Sequence, residues 1–163
     1  MKIVDLEEIH YPAVSEIYAL GIATGNATFQ TEAPPWDEWD KNHLPQCRLV
    51  AVDEQEIVIG WAALTPVSGR CVYAGVAEVS VYIHPHHQGK GVGKNIMEAL
   101  IRESEKQNLW TLQAGIFPEN KASLSLHEQK GFRKIGYREK IGKMKNVWRD
   151  TVLLERRSKT VGV

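Results

Sequence analysis

Residues 76–93, which read VAEVSVYIHPHHQGKGVG, constrain the fold of this chain more than any other segment. Apolar and polar residues alternate along the first half of this segment, as they do in a strand that lies on a hydrophobic core. The apolar positions are Ala77, Val79, Val81 and Ile83. The opposite face carries Glu78, a carboxylate in mid-strand, where an unpaired charge costs stability. This placement makes Glu78 a candidate catalytic residue.

The second half of the segment, Gln88-Gly89-Lys90-Gly91-Val92-Gly93, is a glycine-rich loop that leads into a predicted helix over residues 91–107. Glycines let the backbone approach an anion closely, and the first N–H groups of a helix have no intrahelical acceptor. Lys90 and Lys94 add positive charge at the same place. The loop therefore predicts a phosphate site, and the alternative is a flexible surface loop.

Two other kinds of phosphate-binding loop do not fit the sequence. A Walker A motif that ends at Gly93-Lys94 requires glycine at position 88 and Ser or Thr at position 95, where the chain has Gln88 and Asn95. A dinucleotide fingerprint, G-x-G-x-x-G, requires its last glycine at position 94 or 96, where Lys94 and Ile96 stand.

Hydrophobic periodicity along the whole chain predicts the element order β-α-α-β-β-β-α-β-α-β-β. The predicted strands are 2–6, 48–52, 56–66, 76–84, 111–117, 132–143 and 146–157, and the predicted helices are 10–24, 36–45, 91–107 and 120–130. This order implies an α/β fold, with one mixed sheet and helices on both of its faces. We expect one domain over residues 1–157 and a loose C-terminal tail over residues 158–163.

Composition argues against several classes of protein. The chain has 163 residues, enough for one domain with a real core, and its formal net charge is zero. A nucleic-acid-binding protein usually carries a basic surplus, so we expect no nucleic-acid partner. We expect no membrane partner either, because no apolar run approaches the ~20 residues of a spanning helix. Acids interrupt the N-terminal segment, unlike a signal peptide, which predicts a cytoplasmic protein with Cys47 and Cys71 reduced.

Several short motifs occur together in this chain. Gln88 to Gly93 fit the pattern R/Q-x-x-G-x-G/A between a strand and a helix. Further motifs, spread from about residue 24 to residue 155, are Glu78, Ser80-Val81-Tyr82-Ile83, His87-Gln88, Asn120, Leu126-His127-Glu128, Gly131-Phe132 and Trp148-Arg149-Asp150. Together they resemble the GCN5-related N-acetyltransferases (GNAT), and within them the phosphinothricin N-acetyltransferase branch. The resemblance implies a single-domain GNAT fold, with a mixed, mostly antiparallel sheet, and acetyl-CoA as co-substrate.

The resemblance also implies which residues contact acetyl-CoA. In the family, backbone groups at the positions of Val81, Tyr82 and Ile83 pair with the pantetheine arm as another strand would. The residues that would hold the pyrophosphate are Gln88, Gly89, Lys90, Gly91, Val92 and Gly93. Asn120 would bond the pantetheine, and the alternative is a helix cap alone. His127 would lie near the thioester sulfur, and the alternative is a core histidine.

The reaction that the resemblance implies is direct transfer of an acetyl group to an amine. A free amine is the nucleophile, so a base must take its proton, and Glu78 is the candidate. The alternative for Glu78 is a structural ion pair with Arg70. The backbone N–H near Val81 would polarise the thioester carbonyl. His127, with Tyr82 as the second candidate, would protonate the departing thiolate.

Relatives in this branch acetylate phosphinothricin or methionine sulfoximine, which are amino-acid analogues with a carboxylate. Arg70 and Tyr73 match the R-x-x-Y motif before the catalytic strand, and an arginine fork suits a carboxylate or a phosphinate. Phe29 would pack against the substrate chain. The alternatives are a surface arginine and core aromatic residues. Relatives carry a polar residue and Trp where this chain has Ala74-Gly75, which leaves a different small amine open.

Three functions stay open at this point: a small-molecule N-acetyltransferase, a protein or peptide N-acetyltransferase, and a non-catalytic acyl-CoA sensor. The first predicts a pocket closed by Phe29, Trp36 and Trp148, and the second predicts an open groove. The mid-strand carboxylate argues against the sensor. The family implies a homodimer. We expect no metal, because the turn over residues 84–87 has no matching acid or cysteine cluster.

Overall fold

Seven strands form a single sheet, in the order β1-β2-β3-β4-β5-β7-β6, in the computed structural model, which describes every residue from Met1 to Val163. The strands are β1 (Lys2–Asp5), β2 (Leu49–Val52), β3 (Val58–Pro66), β4 (Val76–Ile83), β5 (Thr111–Ile116), β6 (Arg133–Met144) and β7 (Val147–Arg157). The helices are α1 (Tyr11–Ala23), α2 (Trp36–Asn42), α3 (Val92–Lys106) and α4 (Lys121–Gln129). None of these helices has the length and apolar character that crossing a membrane requires.

The sheet is antiparallel at every pairing except one, because β4 and β5 run parallel. A tight hairpin can join antiparallel strands, whereas two parallel neighbours need a crossover, which α3 supplies here. The observed order of strands and helices is the one that periodicity predicts. The predicted fold class, a mixed and mostly antiparallel sheet in an α/β chain, is confirmed.

The two faces of β4 pack against different helices. Ala77 and Val79 belong to a core cluster shared with Ile96 and Leu100 of α3. Tyr82, on the opposite face, packs against a second cluster that α1 and α2 form with β2 and β3. The alternation of β4 therefore divides the core in two and places the polar face of this strand on the side of α1.

Residues 158–163, which the sequence predicts to be a loose tail, fold back on the sheet. Arg157 donates hydrogen bonds to the carbonyl oxygens of Val161 and Gly162, at 2.8 and 2.7 Å. Ser158 is buried. The sequence does not predict this arrangement, because hydrogen bonds from one side chain to nearby carbonyl groups produce no periodic pattern of hydrophobic residues.

Trp110 connects this tail to the start of β4. Its backbone N–H donates to the Gly75 carbonyl at 2.8 Å, and its own carbonyl accepts from the Ser158 N–H at 2.8 Å. The indole lies so close to Gly75 that a Cβ at this position would be 2.1 Å from the ring. Position 75, three residues before Glu78, therefore accepts only glycine unless Trp110 moves.

Gly75→Ala is expected to lower the free energy of unfolding by about 1–3 kcal/mol, because the added methyl group overlaps the Trp110 ring. Urea denaturation measures the change. Gly69→Ala is the matched control in the same loop, since a Cβ there meets no atom within 4 Å. We expect the control to change stability by less than about 0.5 kcal/mol. Equal stability of the two variants contradicts the packing described for Trp110.

Candidate active site

The sheet opens between β4 and β5, next to the mid-strand carboxylate. The parallel pairing ends at the rung that joins Glu78 to Gln113. Beyond this rung β4 continues to Ile83 and β5 to Ile116, and each strand keeps its antiparallel neighbour on the other side. The two strands therefore diverge and leave a gap inside the sheet. The Glu78–Gln113 rung is the floor of this gap.

The gap exposes hydrogen-bonding groups of the β4 backbone. The N–H of His84 donates to the Ile59 carbonyl of β3 at 2.8 Å, which fixes the residues that face β3. The backbone N–H and C=O groups of successive strand residues point to opposite edges of the strand. Those of Val81 and Ile83 therefore point away from β3 and into the gap. An extended ligand that carries amide groups can pair with them as a neighbouring strand would.

The sequence predicts that the backbone of Tyr82 contacts the pantetheine, but in the structure its backbone faces β3 and its side chain packs beside α1. The register pairs Tyr82 with Trp61, so the backbone N–H and C=O groups of Tyr82 point toward β3 and not into the gap. The Tyr82 ring stacks on Trp61 with centroids 5.0 Å apart and meets the Tyr18 ring at a tilt of 37°, with centroids 4.9 Å apart. Burial raises the pKa of the Tyr82 hydroxyl well above its usual range, which weakens this residue as a proton donor.

The glycine-rich loop lies beyond the end of β4 and has the backbone geometry of an anion site. Gly89 and Gly91 have φ angles of 74° and 84°, a left-handed conformation that glycine adopts without steric cost. The backbone N–H groups of residues 89–94 donate to no acceptor within the chain. The Gln88 amide donates to the Ile83 carbonyl at 3.3 Å and ties the loop to the strand. These free amides at a helix N-terminus support the predicted phosphate site.

Glu78 is partly buried and forms no ion pair. Its hydrogen-bond partner is Gln113, whose Nε2 donates to the Glu78 Oε1 at 3.3 Å. Arg70, the alternative ion-pair partner, lies over the Tyr73 ring, with its Cζ 5.8 Å from the centroid. A partly buried carboxylate with a neutral donor and no cation beside it is suited to accept a proton.

His127 is buried on the inner face of α4, with 5% of its surface exposed. Its Nδ1 lies 2.7 Å from the Ser123 carbonyl oxygen, and its ring meets Phe132 edge-on, with centroids 5.0 Å apart. A carbonyl can only accept, so Nδ1 carries the proton and Nε2 of the neutral ring carries a lone pair. Burial lowers the pKa of His127. The ring can act as an acid only after its Nε2 has received a proton.

Asn120 caps α4, as its alternative interpretation predicts. Its Oδ1 accepts from the Ser123 N–H at 3.2 Å, and its Nδ2 donates to the Asn26 carbonyl at 3.0 Å. The second bond ties the loop that follows α1 to the loop that follows β5. The amide keeps one further acceptor position and one further proton, so these two bonds are compatible with a pantetheine contact.

Arg149 joins the same two loops and is absent from the residues that the sequence predicts for the site. Its guanidinium donates to the Gly25 carbonyl at 2.9 Å and to the Asn26 Oδ1 at 3.0 Å. It also lies over the Phe117 ring, 4.1 Å from the centroid. In the sequence, Arg149 is marked only by its position in the middle of the W-x-D motif. The motif does not predict that this residue binds the loop at Gly25 and Asn26.

Phe29 lies on the loop that Arg149 and Asn120 hold. Its ring meets Phe117 edge-on, with centroids 4.9 Å apart, and it covers Gly142 of β6 so closely that a Cβ there would be 2.8 Å from the ring. Even so, 37% of Phe29 is exposed. A ring that is fixed on two sides and open on another can form one wall of a substrate site.

The three aromatic residues predicted to close a pocket do not meet. Trp36 packs against Tyr11 and Trp39, with centroids 5.3 and 5.7 Å away, in the core beside α1. Trp148 lies near the end of the β6–β7 hairpin and is 56% exposed. Trp36 therefore packs against the core and does not form a wall of the pocket. One copy of the chain leaves the site open on the side of Phe29.

Arg70 and Tyr73 lie on the loop between β3 and β4, beside a 3-10 turn over Cys71–Tyr73. Both side chains are exposed, so Tyr73 is not a core aromatic residue. Arg70 has no acidic partner. The loop therefore presents an unpaired cation eight residues before Glu78.

Neither a metal centre nor a cysteine nucleophile is arranged near the gap. No group of three or more His, Cys, Asp or Glu side chains is placed to hold a metal ion. In the turn after β4, the Nδ1 of His84 accepts from the backbone N–H of His86 at 3.1 Å. Cys47 is buried and Cys71 is exposed, and both are free thiols outside β4 and the glycine-rich loop. This arrangement is compatible with direct transfer between two bound substrates.

Comparison with known proteins agrees with this geometry. Residues 13–132 match the acetyltransferase (GNAT) family. A phosphinothricin N-acetyltransferase of Alcaligenes faecalis is 34% identical over 152 residues, which cover 89% of this chain and 76% of that protein. An L-methionine sulfoximine/L-methionine sulfone acetyltransferase of Pseudomonas paraeruginosa is 33% identical over 154 residues, which cover 88% of this chain and 87% of that protein.

A solved structure shows the same architecture with the co-substrate bound. It is the crystal structure of a GNAT superfamily phosphinothricin acetyltransferase from Sinorhizobium meliloti in complex with AcCoA. The two chains superpose with a TM-score of 0.88 at 26% identity, and the match covers 99% of this chain and 90% of the other.

Burial of His127 predicts a loss of stability in mild acid. The pKa of His127 is lowered from 6.5 in the folded chain, so below about pH 6.5 the unfolded chain binds a proton that the folded chain does not. The free energy of unfolding therefore falls as the pH decreases from about 7 to 5, by up to about 1.4 kcal/mol for each unit of pKa lowering. Urea denaturation across this range measures the slope.

His127→Gln should flatten this pH dependence but not abolish it, because burial also lowers the pKa of His43. His86→Gln, which changes an exposed histidine, is the control and should keep the wild-type slope. A slope in His127→Gln as steep as in the wild type contradicts the assignment.

Proposed function

Because this chain belongs to the acetyltransferase (GNAT) family and is an acetyl-CoA-dependent N-acetyltransferase, we propose that its acceptor is the amino group of a small amino-acid-like substrate. Phosphinothricin and methionine sulfoximine are the leading compounds. Support comes from relatives named for these two substrates, which are 34% and 33% identical to the chain.

The observation that carries the choice of an acidic acceptor is the unpaired Arg70 beside Tyr73. The gap between β4 and β5, with Glu78 at its floor, sets the direction of acetyl transfer. The pyrophosphate of acetyl-CoA would accept from the amides of residues 89–94, at the open end of the gap. The pantetheine amides would then pair with Val81 and Ile83 along β4. This direction brings the reactive thioester toward the floor, where the carboxylate lies.

Glu78 would take a proton from the substrate amine, directly or through one water molecule. The amine nitrogen then forms the new C–N bond to the thioester carbonyl carbon as the C–S bond breaks. The backbone N–H of Val81 would donate to the carbonyl oxygen, on which negative charge develops. No bond to the enzyme is formed, since neither cysteine lies on β4 or on the glycine-rich loop.

The departing thiolate takes up a proton, and His127 is the candidate donor. Since its Nδ1–H is held by the Ser123 carbonyl, Nε2 would first take up a proton from solvent and then pass it to the thiolate, while Glu78 returns the amine proton to solvent. The lowered pKa of His127 means that the doubly protonated ring gives this proton up readily. Tyr82 is the weaker candidate, because burial raises its pKa.

The amine would lie on the α1 side of the sheet. Arg70 has no acidic partner and would bind the carboxylate or phosphinate of the substrate, with Tyr73 beside it. Phe29, fixed against Phe117 and Gly142, would contact the substrate chain. Together these residues match an acceptor with an amine, a short apolar chain and an acidic group.

We also propose that the enzyme is a cytoplasmic homodimer, whose catalytic domain spans residues 1–157. Free cysteines suit a reducing compartment. β6 is an edge strand, and the β6–β7 hairpin exposes large apolar side chains, which favours an interface. These residues are Ile135, Tyr137, Ile141, Val147 and Trp148. A second copy against this hairpin would help to enclose the site that one copy leaves open.

A second candidate function is acetylation of the N-terminus of a peptide or protein. The observation in its favour is the same open side, where Trp36 and Trp148 do not close over Phe29. The two candidates share the gap, the base and the direction of transfer. They differ only in the size of the acceptor that reaches Glu78.

With acetyl-CoA present, phosphinothricin or methionine sulfoximine is expected to release free thiol above the blank without amine. Glu78→Gln should lower kcat by about 10²–10⁴-fold, because the base is lost. Glu54→Gln, in an exposed turn, is the matched control and should keep wild-type activity. Thiol release with peptides but with neither small compound would favour the second candidate. A wild-type kcat in Glu78→Gln would rule out this base.

A further inference from the structure

Gln113 lies on β5 directly beside Glu78, on the last rung before the gap. Its Nε2 donates to the Glu78 Oε1 at 3.3 Å, and both side chains are partly buried. This inference rests on the proposed function, in which Glu78 is the base. We propose that Gln113 is the positioning residue of this base: it holds one carboxylate oxygen, leaves the other free for the amine, and does so without a positive charge.

The neutrality of the donor is the central point of this proposal. A cation within about 4–6 Å of a carboxylate favours the charged form and lowers its pKa by about 1–3 units, which makes the carboxylate a weaker base. The Gln113 amide donates one hydrogen bond and leaves the second oxygen of Glu78 with its lone pairs. The carboxylate is therefore oriented, and one of its oxygens stays open to the amine.

The sheet itself sets this geometry. Adjacent strands hold the two Cα atoms of a rung about 5 Å apart, so the contact does not depend on a mobile loop. Below the rung β4 and β5 are paired, and above it they diverge, so Gln113 is the last β5 residue held at pairing distance from β4. Every later residue of β5 lies across the gap.

Few charged groups share the Glu78 face of β4. Tyr18 of α1 and Tyr82 of β4 are neutral near pH 7, as tyrosine hydroxyl groups ordinarily are, and burial raises the pKa of both still further. Thr65 of β3 stands opposite Glu78 and does not titrate. His84 lies beyond the far end of the strand.

Two further charges belong to neighbouring elements. On β7, Glu155 stands opposite Gln113, and Arg133 pairs with it at 3.0 Å. On the loop before β4, Arg70 lies over Tyr73 and not against Glu78. Gln113 therefore lies between the carboxylates of Glu78 and Glu155, which stand opposite it on the two neighbouring strands.

Three substitutions at position 113 should move the acid limb of the pH profile of kcat/KM, each in a direction set by the charge and hydrogen bonding of the new side chain. Gln113→Leu removes a donor to the charged form of Glu78 and should move the limb to higher pH. Gln113→Glu adds a like charge and should move it further in the same direction. Gln113→Lys adds an opposite charge and should move it to lower pH, by about one unit or more. The amine ionises identically in every assay, so differences between variants report the enzyme.

Glu155→Gln is the matched control, because it changes a charge one strand farther away that Arg133 already balances. It should leave the limb in place, and the KM for acetyl-CoA should stay near the wild-type value in all the variants. If the acid limb stays in place in the Leu, Glu and Lys variants, the positioning role is wrong, even where kcat falls. Full activity of Glu78→Gln would instead remove the base from the proposed function, whatever the Gln113 variants show.

Discussion

The separation of β4 from β5 above the Glu78–Gln113 rung leaves backbone hydrogen-bonding groups of β4 without partners inside the sheet. A sheet normally pairs the backbone groups of its inner strands, and unpaired ones are costly when they are buried. Here Val81 and Ile83, in the middle of a seven-stranded sheet, face a gap. The fold leaves an unfilled strand position, and the pantetheine arm is the strand-like chain that can fill it.

The elements around the gap keep it open and give it direction. On one side, α3 begins at a left-handed glycine and presents amides that have no acceptor. On the other side, the rings of Tyr82, Trp61 and Tyr18 contact one another and pack α1 against β4. Arg149 and Asn120 hold the loop after α1 against the loop after β5. The phosphate-binding end and the amine-binding end of the proposed site are therefore formed by different parts of the chain, and β4 connects them.

The local parts of this architecture can be predicted from the sequence, because alternation, capping residues and glycine spacing report local structure. The element order and the placement of Glu78 on a polar strand face follow from such patterns. The divergence of β4 from β5 cannot be read in this way, since both strands are regular and only their pairing ends. Gln113, Arg149 and Trp110 act through contacts to residues distant in sequence, at positions 78, 25 and 75, and no periodic pattern marks such contacts.

Hydrogen exchange of the β4 amides, measured by NMR with and without acetyl-CoA, shows whether the co-substrate fills the gap. The amides of Val81 and Ile83 face the gap and should become strongly protected when acetyl-CoA binds. Those of Ser80 and Tyr82 are paired with β3 and should be protected in both states, which makes them internal controls. Binding of acetyl-CoA without added protection at Val81 and Ile83 would contradict the account of the gap as an unfilled strand position.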